Sequence, residues 1–522
     1  MKTLLFYLIQ FTLLLSKVNP LMSQESGELD STFNFDGIST FNNGGDKFYD
    51  ITIQNDGKIL VMSNNDLYSD SILIARFNID GSIDNTFGQD GFIQTFGSGY
   101  SVNSDGHKII SQVDGTIFTG CNSRPTLAYQ YITIAKFTAD GSPDSTFDFD
   151  GVLYETIGIS NTWFQDLVIQ PDGKILVSAF AKIDIPGFLD FGPVFCRYLA
   201  DGSPDSTFGL DGKLFLGDIL PDECPESIIL TPEGKIIVMT TNLILQLLPN
   251  GEFDDSFGLE GIVTVDIAHK FNYVNSEICR NYDGTIYISG VVDWTESSDL
   301  YLYKYSFNGE KDLLFGDEGV VLQYYYPGNI PKSLIMQPDG KILLLSKYYL
   351  SDDDYSSLLL TRFYQNGIMD TVFGDSGEYY VTPGWHHNIE VGTDLVVQPD
   401  NKILICGYFE NDTINEGRIW RIIPELELLS TTDHLASQNC IVFPNPTSDV
   451  CFLKTDFYID ENYPLSLVDQ QGRFIKTLTP VLENDIIEKT YRIQLPDNLP
   501  SGTYFITFQS RFQKFSLQFV TK

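Results

Sequence analysis

One pattern recurs seven times along the chain and leaves it few ways to fold. Asp30-Ser31-Thr32-Phe33, followed by Asp36-Gly37, returns at Asp84 to Gly91, Asp144 to Gly151, Asp205 to Gly212, Asp254 to Gly261, Asp312 to Gly319 and Asp370 to Gly377. The leading aspartates are 54, 60, 61, 49, 58 and 58 residues apart. A second signature sits inside each unit: Asn55-Asp56-Gly57-Lys58, Val113-Asp114-Gly115-Thr116, Pro171-Asp172-Gly173-Lys174, Pro232-Glu233-Gly234-Lys235, Tyr282-Asp283-Gly284-Thr285, Pro338-Asp339-Gly340-Lys341 and Pro399-Asp400-Asn401-Lys402. Proline presets φ for a turn and Asp-Gly supplies positive φ, so each signature predicts a hairpin between two short strands. Asn401 is the natural substitute for glycine because asparagine tolerates the left-handed region.

The flanks alternate as strands do. Leu167-Val168-Ile169 runs into the third hairpin and Ile175-Leu176-Val177 runs out of it. A third strand follows, as in Ile72 to Phe77, and a short fourth one follows the Phe-Gly-x-x-Gly turn, as in Phe92 to Thr95. A four-stranded unit cannot bury both of its faces alone and must stack on its neighbours. The expected fold is all-β: a seven-bladed β-propeller of four-stranded blades, followed by a small β-sandwich. Phe33, Phe87, Phe147, Phe208, Phe257, Phe315 and Phe373 each follow the turn aspartate by three residues, and are expected to be buried where blades meet.

These two signatures resemble those of the delta-60 repeat family of β-propellers, over about residues 28–423. Asn34 and Asp148 depart from that pattern, standing where glycine usually follows the phenylalanine. The resemblance implies an architecture and no defined activity. The propeller is expected over 28–429, a polar linker over 430–440, and a different kind of domain over 441–522.

That last segment carries Pro444-Asn445-Pro446, a turn ending in Gly472, Leu499-Pro500-Ser501-Gly502-Thr503-Tyr504, and a final strand ending in Lys522. The order resembles the type A C-terminal sorting domain of the type IX secretion system. In that family the domain is a small β-sandwich that carries cargo across the outer membrane of certain Gram-negative bacteria. The resemblance implies that Pro444, Asn445, Pro446, Gly472, Gly502 and Tyr504 belong to the sorting motif and that the type IX machinery is a partner. At the other end, Leu4 to Leu15 is an apolar run too short to span a bilayer and suited to a signal peptide over residues 1–23, cleaved after Ser23. The chain is therefore expected to be exported, then secreted or held on the outer surface, with no transmembrane span.

Charge and cysteines narrow the partners. The chain has 32 Lys and Arg against 70 Asp and Glu, a net charge of −38, the wrong sign for tracking nucleic acid. From Ser437 on there are 8 basic and 9 acidic residues, so the acidity belongs to the repeats. Seven cysteines at irregular spacings fit neither a disulfide scaffold nor a zinc site, and buried thiols are expected. Cys440 and Cys451, which flank the Pro-Asn-Pro turn, are the best candidates for a disulfide.

Chemistry is sparse. Of five histidines, His386-His387 follows Pro383-Gly384-Trp385 in an inter-strand loop, and no nucleophile elbow, zinc helix or phosphate loop occurs. Most aspartates fall in the repeated turns, where they accept backbone N–H bonds. Single-copy acidic clusters stand at Asp352-Asp353-Asp354 and at Asp222-Glu223 with Glu226. Asn78-x-Asp80-Gly81-x-x-Asp84 gathers oxygens near a turn, but its spacing is not that of a calcium-binding EF-hand loop. No catalytic residue, cofactor or metal site is assigned, and calcium is the one cation weighed. The expected role is non-enzymatic binding of a protein or glycan. Its rivals are an exported polysaccharide hydrolase with carboxylates round the channel, favoured by a non-repeated pair facing each other, and a purely structural surface protein.

Overall fold

The computed structural model describes residues 26–424 apart from 44–45, 66–70, 97–106, 124–129, 158–161, 186–187, 266–275, 293–298, 326–327, 350–355, 382–388 and 412–413. Further on it describes 441–443, 450–455, 465–469, 474–484, 489–496, 499, 502–509 and 514–521. Signal residues 1–23, the 430–440 linker, Pro444 to Pro446, Gly472, His386-His387 and Asp352 to Asp354 lie outside the described residues. The chain divides into two compact units, one of Ser31–Ile422 with Asp469–Ile475, the other of Ile423–Val468 and Lys476–Lys522 with residues up to Asp30.

Between Ser31 and Ile422 the described strands form seven four-stranded antiparallel sheets. The first contains Asp46–Ile53, Ile59–Asn65, Ser71–Phe77 and Phe92–Phe96, in that order. Its pattern repeats through a last sheet of Ile389–Val397, Ile403–Glu410 and Asn415–Ile422, whose fourth strand is Ile38–Phe41 from the start of the chain. That strand runs antiparallel to the last one, Ile38 opposite Trp420 and Phe41 opposite Gly417. The first strand of each sheet touches the first strand of the next, and Ile389–Val397 touches Asp46–Ile53 in turn, so these strands close a ring.

Both repeated signatures lie at one end of the sheets. A Cβ on Gly57 would meet Ile79, and one on Gly115 would meet Ala139, which brings each hairpin beside the turn that opens the next copy of the pattern. Where glycine is absent after the phenylalanine, the left-handed conformation persists: Asn34 has φ 45° and Asp148 φ 41°, against 52° at Gly88 and 54° at Gly209. Polar side chains that tolerate αL thus keep the turn. Asn401 likewise sits at φ 69°.

All seven phenylalanines are buried. Three of them show how the ring is held from both sides. Phe87 packs under the Arg76 guanidinium, 4.4 Å from the ring centroid, and a Cβ on Gly141 of the next sheet would lie 2.8 Å from its ring. Phe208 repeats this with Arg197 at 4.5 Å and Gly251, and Phe33 with Arg421 at 4.6 Å and Gly81. The residue after the phenylalanine then donates its N–H to the next turn, Asn34 to Asp80 O at 2.8 Å and Asp148 to Asp201 O at 2.9 Å. Phe208→Ala should therefore lower unfolding free energy in urea by about 3–5 kcal/mol. An unchanged midpoint would show that this ring is not a packing element.

The other unit carries two four-stranded sheets. One is ordered Ile441–Phe443, Val450–Thr455, Lys489–Gln494, Pro480–Asn484, and the other Phe474–Leu478, Leu465–Asp469, Gly502–Gln509, Lys514–Thr521. Buried side chains alternate along them: Cys451 and Leu453, Leu465 and Leu467, Tyr491 and Ile493, Tyr504 and Ile506. Gly502 pairs with Thr521 and Tyr504 with Phe519. Cys451 is a free buried thiol, and Cys440 lies outside the described residues.

Candidate functional site

The two repeated signatures meet in an ion pair. Lys58 of the hairpin reaches Asp84 of the turn at 2.9 Å, Lys174 reaches Asp205 at 3.5 Å, and Lys235 reaches Asp254 at 2.6 Å. A third-strand cation joins them, Arg76 to Asp84 at 2.7 Å and Arg197 to Asp205 at 2.8 Å. Where the hairpin has threonine, at Thr116 and Thr285, the third strand has lysine, and Lys136 reaches Asp144 at 2.9 Å and Lys304 reaches Asp312 at 2.8 Å. The turn aspartate thus keeps a cation by either route. The arginine also crosses to the next sheet: Arg76 donates to Ala139 O at 2.7 Å, Arg421 to Ile79 O at 2.6 Å, and Arg197 to Pro249 O.

These carboxylates are engaged. Asp84 Oδ1 also accepts from the Thr86 N–H and hydroxyl, and Asp80 Oδ1 from the Ser82 N–H and hydroxyl. In the turn considered for calcium, both Asp84 oxygens and Asp80 Oδ1 already have donors.

A different set of charged groups comes from the innermost strands. Five of them carry a β-bulge at the same place, between Phe48 and Asp50, Phe164 and Asp166, Pro225 and Ser227, Pro331 and Ser333, and Gly392 and Asp394. A bulge inserts one residue and re-aims the side chains around it. Asp50, Asp166, Glu226, Glu277 and Asp394 feel one another's charge or that of Lys108, which lies 3.7 Å from Asp50. Burial pushes the Asp50, Asp166 and Glu277 carboxyls up, and the charge of Asp394 adds to each. Burial likewise raises Glu226 to about 8, opposed by the Ser276 N–H. Lys108 is held charged, chiefly by Asp50.

An innermost strand has one unpaired edge, whose N–H groups need acceptors. Side chains of the preceding sheet supply them. Ile109 N donates to Asp50, Phe164 N to Asn122 Oδ1 at 2.7 Å, Ile228 N to Asp166 Oδ2 at 2.8 Å, and Ser276 N to Glu226. At these four places the inner strands are stapled to the preceding sheet; among the described residues Glu277 and Asp394 make no such bond. The single-copy acidic cluster divides accordingly: Glu226 is such a staple, and Glu223 caps a hairpin by accepting from Thr240 Oγ1 at 2.6 Å and Asn242 N at 3.0 Å. Among the described residues, no group of three or more His, Cys, Asp or Glu is placed to hold a metal ion.

The two carboxylate sets predict opposite pH limbs. Burial alone would raise Asp205, but Thr207, Arg197 and Lys174 hold it at about 2, and the Thr146 hydroxyl and Lys136 hold Asp144 at about 2. A carboxyl lowered on folding stabilises above about pH 4 and loses that effect as the pH falls toward its folded pKa. A raised one stabilises below about pH 4 and loses the effect as the pH climbs through its folded value, which for Glu226 is about 8. The melting temperature should therefore peak near pH 4–5 and fall toward pH 8, the mutual repulsion of the acidic repeats adding to the fall. Glu226→Gln, which keeps an acceptor for Ser276 N, should flatten the alkaline limb. A melting temperature that rises from pH 5 to 8 would refute this.

Comparison with known proteins separates the two parts of the chain. Residues 441–522 match the family described as the secretion system C-terminal sorting domain. The tail is a sorting domain of that family. Residues 54–87, 170–208 and 398–424 match a β-propeller family described as a domain of unknown function, DUF5122. The sorting domain marks type IX secretion cargo, exported to the cell surface or beyond, and implies contact with the type IX machinery. Of the residues expected in its motif, Gly502 and Tyr504 stand on the strand Gly502–Gln509. No curated protein matches the sequence.

Among solved structures, Drosophila semaphorin 2a aligns at 8% identity over 96% of this chain and 98% of its own, with a TM-score of 0.40. A polysaccharide lyase of family PL25, an ulvan lyase, aligns at 10% identity over 91% and 94%, with a TM-score of 0.32. Hydrazine synthase of Kuenenia stuttgartiensis aligns at 12% identity over 90% of this chain and 61% of its own, with a TM-score of 0.32. Among the described residues no helix is long and apolar enough to cross a membrane.

Proposed function

We propose that this chain is a secreted or surface-held binding protein: a seven-bladed β-propeller delivered by its sorting domain, acting without catalysis. A signal peptide over residues 1–23 takes it across the inner membrane. The tail folds as a small sandwich of its two sheets, a reading supported by the contact between Ile441–Phe443 of one sheet and Lys514–Thr521 of the other. Asp50, Asp166 and Glu226 are taken up by backbone N–H groups of the neighbouring sheet, and this observation carries the non-enzymatic reading. A general acid needs to face its substrate, and an oxygen that staples two sheets is not free to do so.

Loops and turns on a rigid scaffold are the usual place for recognition. The mature protein, incubated with extracellular polysaccharides and proteins, should retain a ligand and leave chain lengths unchanged. New reducing or unsaturated ends would turn the assignment to the hydrolase or lyase class.

A further inference from the structure

The turn end of the sheets carries apolar side chains that the fold does not bury. Phe35 is 95% exposed, Phe149 93%, Leu314 91%, Leu210 81% and Leu259 79%, each within one of the repeated Asp-x-x-Phe turns. Phe307, on the turn beside the fifth hairpin, is 70% exposed. Phe35 and Phe149 are also held at φ 72° and 70°, a conformation that strains a bulky residue. At the equivalent Gln89, Leu210, Leu259, Asp317 and Asp375 φ is not positive; there the left-handed residue is the next one, Asp90, Asp211, Glu260, Glu318 or Ser376, so two turns place a phenylalanine where five place a polar side chain. Packing within the fold does not explain these exposed apolar side chains.

Charge says what would cover them. Among the described residues between 31 and 422 no lysine or arginine is exposed. At this end lysines and arginines lean onto the turn aspartates, whereas Asp36, Asp150, Asp211 and Glu260 beside the apolar residues, and Asp90 beside Gln89, are exposed. Next to Leu259 a groove of about 560 Å³ is lined by Phe253, Ile262 and Ile219, with Asp255 and Glu260 on it as well. Apolar positions alternate with exposed carboxylates that, among the described residues, no lysine or arginine meets.

We infer that the turn end of the propeller docks a basic polypeptide that also bears apolar or aromatic side chains. Lysines and arginines of the partner meet the exposed carboxylates, and its apolar groups cover the ring of Phe and Leu. A second copy of this acidic chain would meet like charge across the contact, and a neutral sugar would leave the carboxylates unused. The inference rests on the binding reading and specifies the chemistry of the ligand.

The test uses the full chain and three synthetic peptides of equal length: alternating lysine and phenylalanine, all lysine, and alternating serine and phenylalanine. The lysine–phenylalanine peptide should bind at least ten-fold more tightly than either other. The combined variant Phe35→Asn, Phe149→Asn, Leu210→Asn, Leu259→Asn should lose that advantage while its melting temperature holds, because asparagine accepts the left-handed conformation and the replaced rings and chains are exposed. Equal binding of the two lysine peptides would mean simple ion exchange and overturn the inference, as would an advantage that survives in the variant. Self-association of the full chain abolished by the same substitutions would assign the face to a second copy instead. None of these results bears on whether the protein cleaves a polysaccharide, so failure here is distinct from failure of the non-enzymatic reading.

Discussion

Deleting residues 28 to 41 should abolish the cooperative unfolding transition of the repeat region. The deletion removes the fourth strand of the last sheet, which covers Asn415–Ile422 from Ile38 to Phe41. It removes Phe33, fully buried under Arg421, and Phe41, whose ring lies 6.1 Å from Phe48 and 5.7 Å from Phe92. It also removes Ser39, whose hydroxyl donates to Gly81 O at 2.6 Å, and Thr32, which accepts from Arg421 at 2.9 Å. Loss of one buried phenylalanine costs about 3–5 kcal/mol. Domains are stable by only about 5–15 kcal/mol, so losing that ring together with a whole strand exceeds what the fold can spare. Calorimetry of the deletion variant beside the full chain decides the matter. An unaltered melting profile would mean that the first and last sheets do not depend on each other.

Removing residues 437 to 522 should have the opposite pattern, with stability kept and destination lost. The repeat unit has its own buried clusters, such as that built on Phe48, Ile51, Val61 and Ile419, and these contain no residue of the tail. The sorting domain is the chain's address for type IX export. The truncated protein should therefore melt as the repeats do in the full chain but accumulate in the periplasm, while the full chain reaches the surface or medium. Fractionation of cells expressing both forms gives the answer. Delivery of the truncated form to the surface would separate this tail from export.

The repeated architecture is legible in the sequence because its turns are chemically explicit. Asp-Gly, Asn-Gly and Pro-Asp-Gly dictate backbone angles without help from distant residues, and the strands between them follow. What joins the two signatures is less visible. Lys58 and Asp84 are 26 residues apart, and only the sheet shows that one neutralises the other. A trace was nevertheless present: threonine at 116 and 285 coincides with lysine at 136 and 304, a compensation readable by aligning the units.

The inner ring is not legible by alternation, for a geometric reason. Alternation assigns residues to faces with a period of two, and a bulge shifts that count by one. Asp50, Asp166 and Asp394 therefore occupy positions that simple parity misassigns, although each stands seven residues before the turn residue Gly57, Gly173 or Asn401. The exposed Phe35 and Phe149 lie within the pattern itself, two residues after the buried phenylalanine, at a position that elsewhere holds Gln89, Leu210, Leu259, Asp317 or Asp375.

The pairing of Ile38 with Trp420 also fixes the order of events in time. Contacts between residues so distant along a chain close a very large loop, and such closures come late and slowly. A chain that emerges amino end first, from a ribosome or a translocation pore, presents Ile38–Phe41 among its earliest residues and their partners Gly417–Trp420 only after the other sheets. Until then the early strand has no mate and the growing array has two open edges, each able to pair with another chain. Folding to completion before the repeats have fully emerged is thus topologically impossible, and the interval is one in which a chaperone holding a single strand would decide between a closed ring and an aggregate.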